Sequence, residues 1–82
     1  GSILDHEQGH FDLCELYTRR LRGRIEHFDF NSSNLRQSLM NVFTEVNTEY
    51  EACQQAYEAE TTHGTNIQVQ RRWTEKISRE LN

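Results

Sequence analysis

Proline is absent from this chain of 82 residues. Nothing therefore forces a helix to kink, and helix ends must be set by glycine, by caps and by the hydrophobic period. Glycine is scarce too, at Gly1, Gly9, Gly23 and Gly64. No run approaches the roughly 18 consecutive apolar residues of a spanning helix, so no membrane span is expected. Positive charge is in deficit. The net charge is −4, whereas nucleic-acid binding asks for a basic face and a positive balance. The cluster Arg19, Arg20, Arg22 and Arg24 reads as a solvated helix face, and no nucleic-acid partner is expected. Two cysteines, Cys14 and Cys53, are too few to fix a redox compartment. The apolar fraction of 34% is low for a soluble domain, so any core is thin.

What is present is helical period. Ile3, His6, His10, Cys14, Tyr17, Leu21, Ile25 and Phe28 recur every three or four residues, with Leu13 and Leu16 widening the stripe. This predicts a helix over 3–28, weakened at Gly9 and Gly23 by about 1 kcal/mol each. A polar break follows, with Ser32, Ser33 and an Asn34–Gln37 pair as N-cap candidates. The second helix, over 34–62, carries Leu35, Leu39, Val42, Phe43, Val46, Tyr50, Cys53, Tyr57 and Glu60. His63-Gly64 ends it, with glycine at the left-handed C-terminal position. Thr65 and Gln68 form a capping box for a third helix over 66–81, whose apolar face is Val69, Trp73, Ile77 and Leu81. The expected fold is all-α: a long antiparallel helical hairpin and a shorter third helix.

Within the first helix lies His6-Glu7-Gln8-Gly9-His10. Two histidines four apart share a helix face and can share a metal, and the carboxylate beside the first can take a proton from water. Zn2+ is the expected ion, since neutral imidazoles suit it. Roughly two chains in a hundred of this composition would carry the pattern by chance, so the motif needs support. Support comes from its place on the apolar stripe, where buried imidazoles require partners.

A catalytic zinc has three protein ligands as a rule. Glu60 and His63 are the candidates for the third. If the two long helices are antiparallel and Cys14 faces Cys53, His6 and His10 fall opposite residues 61 and 57, within a turn of both candidates. A register set by a short loop near residue 31 places the candidates about a turn past the motif. The first register is preferred.

The stretches HEQGHFDLCELYTRRLR and YEAETTHG, then the Trp and Leu of the terminal helix, resemble a family of predicted secreted zinc-dependent bacterial proteases, otherwise catalogued as a domain of unknown function. The resemblance implies His6 and His10 as zinc ligands and Glu7 as general base. It brings the Thr-x-His-Gly turn towards the metal, with His63 as third ligand and Glu60 as its rival. It also implies a secreted or cell-envelope protein, in which Cys14 and Cys53 can pair. The substrate is then a peptide or protein, held as an extended strand beside a sheet edge. No such sheet is encoded here, so the fragment is expected to lack the substrate cleft, to be inactive alone and to hold zinc only loosely. Gly1-Ser2 reads as a tag scar, and residues 3–82 as one helical domain, the C-terminal catalytic half of a larger α+β protein. Tyr57 is a candidate oxyanion stabiliser.

A second class of function stands beside the hydrolase. The long regular stripe on the second helix and the thin core suit a non-catalytic helical module that forms a homodimer or holds a structural zinc. In that reading the histidines and Glu60 are a polar seam.

Overall fold

The computed structural model describes residues 2–31 and 33–82. Gly1, read as part of a tag scar, and Ser32, an N-cap candidate, lie outside the described residues. Three helices follow in order: α1 Ser2–Glu26, α2 Leu35–Glu60 and α3 Ile67–Leu81. No strand occurs among the described residues. The fold is all-α, as expected. α1 stops earlier than residue 28 because the Phe28 amide bonds to the Ile25 carbonyl in a turn (3.1 Å).

α1 is the spine, and both other helices pack along it. One residue from each helix makes the inner core: Leu13, Tyr57 and Ile77, with Cys53, Trp73 and Leu81 against them. Leu16, Tyr17 and Val46 continue it along the hairpin. The centre of the α1 stripe is thus Leu13 (1% exposed) and Leu16, not Cys14, which is exposed. The reason is the second neighbour: contact with α3 as well as α2 rotates the buried arc by about one position. Ile3 is exposed for the same reason.

The register differs from the preferred one. His6 faces Glu58 and His10 faces Gln54, between the two registers considered. Cys14 and Cys53 are both free thiols. Cys53 packs on the core, while Cys14 lines an open groove with Tyr17, Leu21, Phe43 and Tyr50. The Cys14–Cys53 pairing is therefore not formed.

The turn between α2 and α3 is tighter than one C-terminal glycine. Thr62, His63 and Gly64 all have positive φ, at 50°, 58° and 89°. A β-branched residue there is unusual, and each non-glycine residue costs about 1–2 kcal/mol. Backbone hydrogen bonds hold the turn. The His63 amide donates to the Glu58 carbonyl (3.0 Å), and the Gly64 and Asn66 amides both donate to the Thr61 carbonyl (3.0 and 2.9 Å). The Thr65 hydroxyl donates to the Thr62 carbonyl (2.7 Å), so it does not cap α3. Asn66 caps instead, its Oδ1 accepting from the Val69 amide (3.3 Å).

The molecule is elongated, 50 × 23 × 15 Å, with a radius of gyration of 15.4 Å. A compact chain of this length would have about 12 Å. α3, with 15 residues, is too short to cover the whole hairpin. Its end lies where Arg19 Nη1 donates to the Leu81 carbonyl (2.7 Å). Beyond that point the hairpin is only two helices wide.

Candidate metal centre

His6 and His10 lie one turn apart on α1, and Gln54 and Glu58 lie one turn apart on α2. The antiparallel register brings these two pairs face to face. His6 Nε2 is 2.6 Å and His10 Nε2 2.5 Å from the same Glu58 Oε1. The two Nε2 atoms are 3.2 Å apart. Among the described residues, His6, His10 and Glu58 form the group able to hold a metal ion, their ligand atoms all within 4.8 Å of one another.

The donor set fits a metal. Two ligands at about 2.0–2.1 Å on a tetrahedral zinc lie about 3.3 Å apart, close to the separation of the two rings. The carboxylate sits at hydrogen-bond distance from each ring and would open by about 0.7 Å to admit an ion. Two imidazoles and one carboxylate also leave a fourth position for water.

The expected ligands are placed as follows. His6 and His10 belong to the group. Glu58, which the sequence reading passed over, takes the third place. His63 is exposed, and its Nδ1 bonds the other carboxylate oxygen, Glu58 Oε2 (2.5 Å). Glu60 turns away to α3, where it accepts from Trp73 Nε1 (3.1 Å). Glu7 is exposed and lines an open cleft with His10, Phe11, Tyr50 and Gln54. Tyr57 is fully buried (0% exposed), and its hydroxyl donates to the His6 carbonyl (2.8 Å) rather than facing the cleft.

Charge is shared across the group. Burial alone would lower the His6 pKa, but hydrogen bonds to Gln70 and Glu58 and the charges of Glu58 and Glu7 outweigh it, and the pKa is raised above 6.5. The Glu58 carboxyl is held at about 2, chiefly by its hydrogen bond with His6, then by those with His63 and His10. Burial raises the Tyr57 hydroxyl above 10.

Two glycines let the centre close. A Cβ on Gly9 would stand 2.0 Å from Tyr57 Oη and 2.6 Å from Tyr57 Cζ, so Tyr57 seats directly on the α1 backbone. A Cβ on Gly64 would stand 2.7 Å from His6 Cβ and Cγ. The strained turn thus carries glycine where φ is 89° and the backbone comes close against His6.

Glu58 carries a signal that period alone obscures. Gln54 and Glu58 repeat the i,i+4 spacing of His6 and His10 on the facing helix, so a polar pair answers a polar pair. Gln70 and Gln54 were likewise unmarked. Each accepts from an imidazole: Gln70 Oε1 lies 2.9 Å from His6 Nδ1, and Gln54 Oε1 lies 2.5 Å from His10 Nδ1.

No curated protein and no solved structure matches this chain. Residues 1–64, which hold both histidines, Glu58 and the Thr-Thr-His-Gly turn, match the family described as bacterial protein of unknown function (DUF922), and the chain belongs to that family.

Proposed function

We propose that His6, His10 and Glu58 hold one zinc ion and that Glu7 makes the centre hydrolytic, as in a zinc-dependent peptidase. The observation that carries this reading is the convergence of two imidazoles and a carboxylate 48 and 52 positions away. Two histidines with one glutamate are the donor set of one class of catalytic zinc. When bound, zinc polarises a carbonyl and brings the pKa of water to about 7.

The residues around it divide the labour. His6, under Tyr57 and Gly64, forms the closed side. His10 forms the open side and shares its cleft with Glu7. There the Glu7 carboxylate takes a proton from the attacking water and returns it to the leaving amine. Phe11, 73% exposed on the rim, offers an apolar contact for a substrate side chain. His63 steadies the second oxygen of Glu58.

Replacing Glu7 by Gln in the full-length protein tests the reading. Peptide hydrolysis should fall at least about a hundredfold while zinc stays bound. Activity equal to wild type overturns the role of Glu7.

A structural zinc in a self-associating module is the second reading. It is favoured by Leu4 and Phe11, seven apart on α1 and each 73% exposed. A dimer that binds zinc and hydrolyses no peptide, with or without Glu7, would support it.

A further inference from the structure

A backbone carbonyl only accepts hydrogen bonds, and a tyrosine hydroxyl has one proton to give. These two facts orient two amides, Gln70 buried and Gln54 half-buried. Gln54 Nε2 lies 3.1 Å from the His10 carbonyl, so that atom is the donor, and Gln54 Oε1 faces His10 Nδ1. The ring nitrogen must then carry the proton. At His6 the same logic runs through one more residue. The Tyr57 hydroxyl gives its proton to the His6 carbonyl (2.8 Å). The atom 2.7 Å from Tyr57 Oη is therefore a donor, Gln70 Nε2. Gln70 Oε1 in turn accepts from His6 Nδ1 (2.9 Å).

We infer that Gln54 and Gln70 are positioning residues that hold a proton on Nδ1 of both imidazoles and so turn both Nε2 atoms toward Glu58. Each ring is set by its own backbone carbonyl, directly through Gln54 at His10, and through Tyr57 and Gln70 at His6. The tautomer is what a neutral imidazole needs in order to offer Nε2 as a ligand. The use of the lock rests on the zinc reading above; the Nδ1 hydrogen bonds do not, and in the metal-free chain each Nε2 gives a proton to Glu58 Oε1, which a metal would displace. Gln70 also lies beyond residues 1–64, so α3 completes the centre from outside the segment that matches the family.

The amide replaces the more usual carboxylate or carbonyl partner for a physical reason. Each glutamine must accept on one side and donate on the other. A carboxylate at 54 would set an acceptor against the His10 carbonyl. An apolar residue at 70 would leave the His6 Nδ1–H without a partner in a buried place.

The test uses imidazole 15N and Nδ1–H proton resonances of the protein, metal-free and zinc-loaded, with zinc titration calorimetry in parallel. Wild type should keep Nδ1–H at both His6 and His10, metal-free and zinc-loaded. In Gln70→Leu, His6 should lose that preference while His10 keeps it, and zinc affinity should fall about 10- to 100-fold. Gln54→Leu should do the reverse. Tyr57→Phe keeps the packed ring but frees the Gln70 amide, so it should disturb the His6 tautomer with helix content unchanged by circular dichroism. Gln70→Glu, which retains an acceptor at Nδ1, should restore the His6 tautomer. A bare Nδ1 at either ring of the wild type overturns the inference. So does a Gln70→Leu protein whose His6 tautomer and zinc affinity equal those of wild type. Nδ1–H at both rings with no zinc uptake would uphold the lock and overturn the zinc reading.

Discussion

The two ends of the α1–α2 hairpin contrast in what they bury. At the end that holds His6, three helices meet, and polar side chains are sealed among them: His6 is 4% exposed, Gln70 4% and Thr61 0%. No buried side-chain nitrogen or oxygen among the described residues lacks a partner. At the loop end only two helices meet, and Phe30, Met40 and Phe43 are about half exposed or more. The third helix seals the polar groups of one end, while large apolar residues stay exposed at both, Leu4 and Phe11 at the His6 end as well. A fold selected for stability alone would do the opposite. The difference teaches that α3 does two jobs, giving Gln70 to the centre and Trp73, Ile77 and Leu81 to the core.

The largest expected contrast is in truncation. Leu13→Ala, at the junction of three helices, should cost about 3–4 kcal/mol in urea denaturation. Phe43→Ala on the two-helix end should cost less than about 1 kcal/mol. Equal losses would break the contrast. Next come the glycines, where one substitution should change sign between the ends. Gly9→Ala drives a methyl into Tyr57 and should destabilise by about 2 kcal/mol, clash outweighing helix propensity. Gly23→Ala meets nothing within 4 Å and should stabilise by up to about 1 kcal/mol.

The pH dependence sharpens the same contrast for the metal-free chain. Glu58 is held at about 2, so its contribution is present above its ordinary 4.5 and lost as pH falls toward 2. His6 is raised, so its contribution is present below 6.5 and lost as pH rises through its folded value. Thermal stability without metal should peak between those limits, and Glu58→Gln should flatten the profile. Zinc needs neutral rings, so its affinity should instead rise with pH and its binding should release protons. The smallest effect is expected at the loop end. Arg24 reaches Glu45 (3.5 Å) and Glu49 (3.1 Å) in the open, and Arg24→Ala should cost at most about 1 kcal/mol, less in high salt.

Much of this was legible in the sequence. Apolar period and the absence of proline marked three helices in order, and the spacing of His6 and His10 marked the centre. Glu58 was not, because α2 also carries Glu49, Glu51 and Glu60, and only the register says which one faces His6. That register was misplaced by pairing Cys14 with Cys53, when contact with α3 had turned Cys14 outward. Gln70 was invisible because a glutamine on a charged helix looks like surface. Gly9 read only as a loss of helix propensity, whereas it is the seat of Tyr57. The cap of α3 moved from Thr65 to Asn66 because the strained turn claims the Thr65 hydroxyl.

The most direct measurement is zinc titration calorimetry on the wild type, Glu58→Ala and His63→Ala. One zinc per chain in the wild type, affinity lost at least about a hundredfold in Glu58→Ala, and binding retained in His63→Ala is the predicted result. No binding in the wild type, or binding that survives in Glu58→Ala and disappears in His63→Ala, would contradict the assignment of Glu58 as the third ligand.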